Sequence, residues 1–158
     1  MIQPGRGWER HAEGLLGIAA SAILLSMTAL TFVDVVARYL FSRPLRGAFE
    51  VTELMLLVLI FAGLPLVSYA NEHALMDFID HILPASLQRG LVRTVELVCA
   101  ATMGLLAWLV WLKADRIWAY RDTTDVLRIA YGPFVYFMAV MVALAALIHL
   151  YRALVRPA

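Results

Sequence analysis

The chain has 158 residues and a formal net charge of +1, and 63% of its side chains are hydrophobic against 16% charged; its mean hydropathy is +0.80. A soluble domain is usually about 45–50% apolar, so this composition excludes an ordinary soluble globular protein and predicts an all-α membrane protein. The near-neutral charge, with no basic run, gives nucleic acid no footing, and the single cysteine, Cys99, excludes an intrachain disulfide or a cysteine-built zinc framework.

Crossing a bilayer takes about 20 mostly apolar residues per helix, and four windows qualify: residues 15–37, 54–70, 91–112 and 129–151. The connections between them are too short to fold separately, since a domain needs about 50 residues. Residues 1–158 are therefore expected to form one four-helix membrane domain. A signal peptide would end its short apolar run at a small-residue cleavage site. Here the first apolar run is a full span leading into a charged loop, and it is expected to be retained.

Within the first span, Gly14, Gly17, Ser21, Leu24, Thr28, Thr31, Val35 and Arg38 recur at three- and four-residue steps and share one helix face. Most of them are small or hydroxylated. In lipid, small residues let helix backbones approach closely and hydroxyls can bond across the contact. Two partners fit this stripe equally, the chain's own helices or another subunit. Ala100, Gly104 and Ala107 in the third span and Ala139, Ala143 and Ala146 in the fourth repeat the pattern more weakly.

The first loop concentrates charge in "DVVARYLFSRPLRGAFEVTE", residues 34–53. Asp34 and Arg38 are four apart and can pair across one helical turn. Glu50 and Glu53 open the second helix, whose positive dipole end favours them. Pro44 and Gly47 punctuate the turn between the helices.

After the second span, "HALMDFIDHILP" sets His73, Asp77, Asp80 and His81 on one arc and Leu75, Met76, Phe78, Ile79, Ile82 and Leu83 opposite. This predicts a short amphipathic helix over 73–83, lying in the membrane interface with its apolar side against lipid; folding back onto protein is the alternative. His73, Asp77 and His81 also have metal-ligand spacing, but a solvated polar face accounts for them and no metal is expected.

No cofactor is expected either. Axial haem ligation wants imidazoles facing each other inside a bundle, and His11 and His149 read instead as interfacial histidines. No Ser/His/Asp order, phosphate-binding glycine loop or inward carboxylate cluster occurs in the spans, so the chain is not expected to be an enzyme. A substrate-binding transporter would normally place ionisable groups or paired helix breaks near the midplane, and only Gly63-Leu64-Pro65 interrupts a span.

Orientation does not follow from Lys/Arg counts. The side with the termini and middle loop holds six (Arg6, Arg10, Arg89, Arg93, Arg152, Arg156), and the other holds seven (Arg38, Arg43, Arg46, Lys113, Arg116, Arg121, Arg128). An even number of spans still puts both termini on one side.

Arg38-Tyr39-Leu40-Phe41, then Pro44, Gly47 and Glu50, resembles the signature of the small membrane subunit of tripartite ATP-independent periplasmic (TRAP) transporters. "NEHALMD", residues 71–77, is similar to that family's Glu-His-Ile-x-Val-Asp segment, with Ala74 where isoleucine is usual. The resemblance extends over roughly residues 12–152 and includes the Gly132-Pro133 entry to the fourth span. It implies a scaffold for a large elevator-type permease subunit, which binds the substrate and sodium, and a periplasmic binding protein that delivers a carboxylate-type solute. It also implies a bacterial inner-membrane location with both termini and the middle loop cytoplasmic; the even charge tally departs mildly from this.

On that topology Arg43, Arg46, Arg116, Arg121 and Arg128, with Lys113, lie on or near the periplasmic side as candidate docking charges for the binding protein. Asp115, Asp122 and Asp125 offset most of the third loop's cations, and Glu50 and Glu53 those of the first, leaving each at about +1. Gly17, Ser21, Thr28, Thr31, Arg38, Tyr39, Pro44, Gly47, Glu50 and Glu53 are the expected interface or structural positions. A membrane anchor of a quinone- or haem-linked redox complex is the alternative class, since it too would be small, helical and dependent on a partner. A Soret band would identify it.

Overall fold

A computed structural model describes residues 7–70 and 85–155. Among these the fold is all-α, with α1 over Gly7–Phe41, α2 over Ala48–Ala70, α3 over Ala85–Tyr120 and α4 over Gly132–Val155. Each contains a stretch long and apolar enough to cross a membrane. The expected interfacial helix, with His73, Asp77, Phe78, Ile79 and Asp80, lies outside the described residues.

α1 and α3 outrun their apolar windows at both ends, α2 at its start and α4 at its end, because hydropathy marks the lipid-compatible part of a helix, whereas its backbone ladder stops only where the chain turns; α4 itself begins inside its expected window, at Gly132. α1 stops at Ser42, which takes the left-handed conformation (φ 52°), and the Arg43 N–H reaches back to the Ala37 carbonyl at 3.2 Å. α3 ends in a Schellman wrap, with the Asp122 N–H bonded to the Ile117 carbonyl and the Arg121 N–H to that of Trp118, both at 3.2 Å. The left-handed residue this wrap requires is Arg121 (φ 55°), where glycine is usual. Pro65 sits inside α2, and membrane helices tolerate such interruptions where neighbouring groups re-satisfy the backbone.

The chain forms two compact units. The first comprises Met1–Ile60 and Thr123–Ala130, joining α1 and the start of α2 to a segment of the third loop. That segment is pinned by an isolated antiparallel bridge, Thr123 to Ala130, and by Thr124, whose N–H donates to the Ile129 carbonyl (2.9 Å) and whose Oγ1 accepts from the Ile129 N–H (3.1 Å).

The second unit comprises Phe61–Asp122 and Tyr131–Ala158, and its core is the antiparallel packing of α3 on α4. Ala107, Ala114, Ala139, Ala145 and Ala146 are buried. Small side chains here allow the close approach that supplies dispersion contact when lipid removes any hydrophobic drive. At one end of the pair Trp111 and Trp118 meet the Tyr136 ring edge-on, with centroids 5.2 and 6.3 Å apart, and Tyr136 donates to Asp115 Oδ1 at 2.6 Å. A Cβ on Gly132 would lie 2.6 Å from Trp118 Cε3. Glycine at the entry to α4 thus leaves room for that indole.

Candidate functional site

The charged first loop is organised around two carboxylates. Asp34, in the last turns of α1, accepts from Arg38 Nη2 through Oδ2 at 2.7 Å and from the Leu45 N–H through Oδ1 at 2.8 Å. One side chain thereby fixes both the helix end and the loop that leaves it. The i,i+4 pairing is the expected one; the bond to Leu45 is an addition that only the folded loop reveals.

Glu50 occupies the first turn of α2 and is 8% exposed. Its Oε1 accepts from the Val126 N–H at 2.7 Å and its Oε2 from the Leu127 N–H at 2.9 Å. Both oxygens are therefore engaged by consecutive amides of the third loop. Gly47 completes this clamp: its φ of 81° favours glycine, and a Cβ there would overlap the Leu127 side chain. Two of the signature residues thus share one local task, seating residues 123–130 against the start of α2. Glu53, one turn further on, is exposed and takes no part in it.

The remaining first-loop residues face outward. Tyr39 and Pro44 are exposed, and so are Arg43 and Arg46, whose side chains have no partner among the described residues. Arg116, Arg121 and Arg128 are exposed as well. Along α1, Gly17, Ser21, Thr28 and Thr31 form a stripe exposed within this chain. Thr28 and Thr31 donate to the carbonyls of Leu24 and Met27, each at 2.9 Å, so their hydroxyls are already satisfied within the helix.

A second polar feature lies in the spans of the other unit. His149 Nδ1 donates to Glu96 Oε2 at 2.6 Å, tying α4 to α3, with both side chains largely shielded. Arg152, one turn along α4 and itself buried, donates to the Ser68 carbonyl of α2. The reading of His149 as an interfacial histidine missed this pairing. The available signal was an isolated acid in the third window and an isolated histidine in the fourth at matching depth.

Together these features define a multi-pass membrane protein, with four helices long and apolar enough to span a bilayer and a braced loop in the first unit. Residues 27–157 match the family described as tripartite ATP-independent periplasmic transporters, DctQ component. The chain belongs to that family and is a small TRAP transporter subunit. No curated protein and no solved structure matches it.

Proposed function

We propose that this chain is the scaffold of its TRAP transporter, holding a large elevator-type permease subunit that carries out sodium-coupled uptake of a carboxylate-type solute brought by a periplasmic binding protein. Both termini are cytoplasmic on this reading, and the first and third loops periplasmic. The whole chain acts as one non-enzymatic membrane domain, held in lipid. Support comes from the shielded ionisable groups of the second unit: Glu96 bonds to His149 and Arg152 to the Ser68 carbonyl, so these three join helices to each other, whereas Lys113 and Arg116, near the end of α3, are exposed. Groups committed to helix contacts suit a fixed frame better than a solute path.

The α1 stripe, exposed in this chain, is proposed to face the large subunit. The arginines of the periplasmic loops contribute to binding-protein docking. From its sequence pattern the segment 73–83 is proposed to lie in the cytoplasmic interface. Spin labels on Phe78 and Ile79 should then sense lipid and labels on Asp77 and Asp80 water; equal water access at all four would remove that assignment.

The deciding experiment is reconstitution into proteoliposomes with and without the large subunit. Uptake is expected only when both are present with the binding protein. Sodium-driven uptake by this chain alone would overturn the scaffold.

A further inference from the structure

The last turns of α3 carry two cations on a surface that the rest of the chain leaves open. Leu109, Leu112, Lys113, Arg116, Tyr120 and Asp122 line a shallow cavity of about 420 Å³. Lys113 and Arg116 are three apart and thus neighbours on the helix, and neither side chain has a partner among the described residues. Asp115 lies between them in sequence but is engaged by Tyr136.

Depth in the membrane says what such a pair would meet. The span-forming part of α3, Gly90–Tyr120, is 31 residues, or about 46 Å at 1.5 Å per residue, against a hydrocarbon core of about 30 Å. Its ends must therefore enter the headgroup layers. Trp108, Trp111, Trp118 and Tyr120 are all exposed, and such side chains settle at the membrane–water boundary. The two cations lie within this aromatic stretch of the helix, so the anion that reaches them most readily is a lipid phosphate.

We infer that Lys113 and Arg116 hold the phosphate of one phospholipid whose acyl chains run along Leu109 and Leu112. Ammonium and guanidinium groups both donate charge-assisted bonds to phosphate oxygens. The exposed leucines supply a contact that a water-soluble phosphate could not use, which commits the site to a lipid. Asp122, beyond the helix end, selects the headgroup: its carboxylate attracts an ammonium and repels a second anion. The ligand class is thus an aminophospholipid. This assignment stands apart from the scaffold reading and takes Arg116 out of the docking surface.

The test is native mass spectrometry of the full chain, delipidated in detergent and then offered equimolar phosphatidylethanolamine and phosphatidylglycerol. One retained lipid per chain is expected, with phosphatidylethanolamine preferred. The K113Q/R116Q double variant should retain about tenfold less or lower still, with each single variant between it and the unaltered chain. Millimolar inorganic phosphate should displace nothing, and R43Q/R46Q should retain lipid normally. Far-UV helicity checks that the exposed substitutions leave the fold intact. Equal retention by K113Q/R116Q, or displacement by inorganic phosphate, would overturn the site. D122N should erase the preference for phosphatidylethanolamine; a preference unchanged in D122N overturns the role of Asp122.

Discussion

At Glu50 a single carboxylate bonds two amides that lie 76 and 77 positions further along the chain. Glutamine keeps the shape but replaces one acceptor oxygen with an NH2 group that cannot accept from an amide N–H. E50Q should therefore speed hydrogen exchange at the Val126 and Leu127 amides and leave the α3–α4 helix amides unchanged. Unchanged exchange at Val126 and Leu127 would remove the clamp. Gly47→Ala should destabilise the protein by about 2 kcal/mol, combining left-handed backbone strain with the overlap on Leu127. Arg121→Gly runs the other way: relief of left-handed strain, less the larger unfolded-state entropy of glycine, should stabilise by a few tenths to about 1 kcal/mol. A melting temperature that fell on this change would mean that the Arg121 side chain holds something the backbone argument omits. The pairing of Asp34 with Arg38 was legible in the sequence because four-residue spacing on a helix is itself a contact rule. The partners of Glu50 were not, since no local spacing connects residue 50 to residue 126.

At the level of elements, α3 and α4 are joined by shape and by one polar bond. Ala139 is 1% exposed, and A139L would force added volume into this close contact, with an expected loss of about 1–3 kcal/mol. The Glu96–His149 bond should add a smaller amount. A double-mutant cycle of E96Q and H149Q, read by thermal unfolding in detergent, should give a coupling of about 0.6 kcal/mol, at most about 1.7. A coupling indistinguishable from zero would mean that alanine packing alone sets this contact. The four helices were legible because lipid demands long apolar runs. Their ends were less so: α3 extends from Ala85 to Tyr120 although its apolar window covers 91–112, and beyond the window Asp115 finds Tyr136 on α4, so the helix continues through it. The third loop was the least legible part, since its form depends on Glu50 acting across long sequence distance, together with Thr124, 2% exposed, bonded to Ile129 within the loop.

For the whole molecule, the question is whether the outward charges of the braced loops act on a diffusing partner. Arg43 and Arg46 are exposed, and their side chains have no partner among the described residues. The loop that carries them is fixed at one end by Asp34 and followed by the Glu50 clamp. Cations on a braced loop present a steady field, and on the proposed topology that field faces the periplasm. Such charges act mainly on association rate and are screened by salt, with a Debye length of about 8 Å at physiological ionic strength. Reversing both to glutamate should therefore slow uptake in the assembled transporter when binding protein is limiting, and leave it nearly unchanged at saturation. The defect should shrink as salt is raised, because screening removes the attraction in the original chain and the repulsion in the variant alike. The near balance of charge in each loop predicts a modest effect, with the larger part of the docking surface on the permease subunit. A defect that persists at saturating binding protein and is indifferent to salt would place Arg43 and Arg46 in subunit assembly, where loss of contact lowers the number of working complexes instead of the rate at which each is loaded.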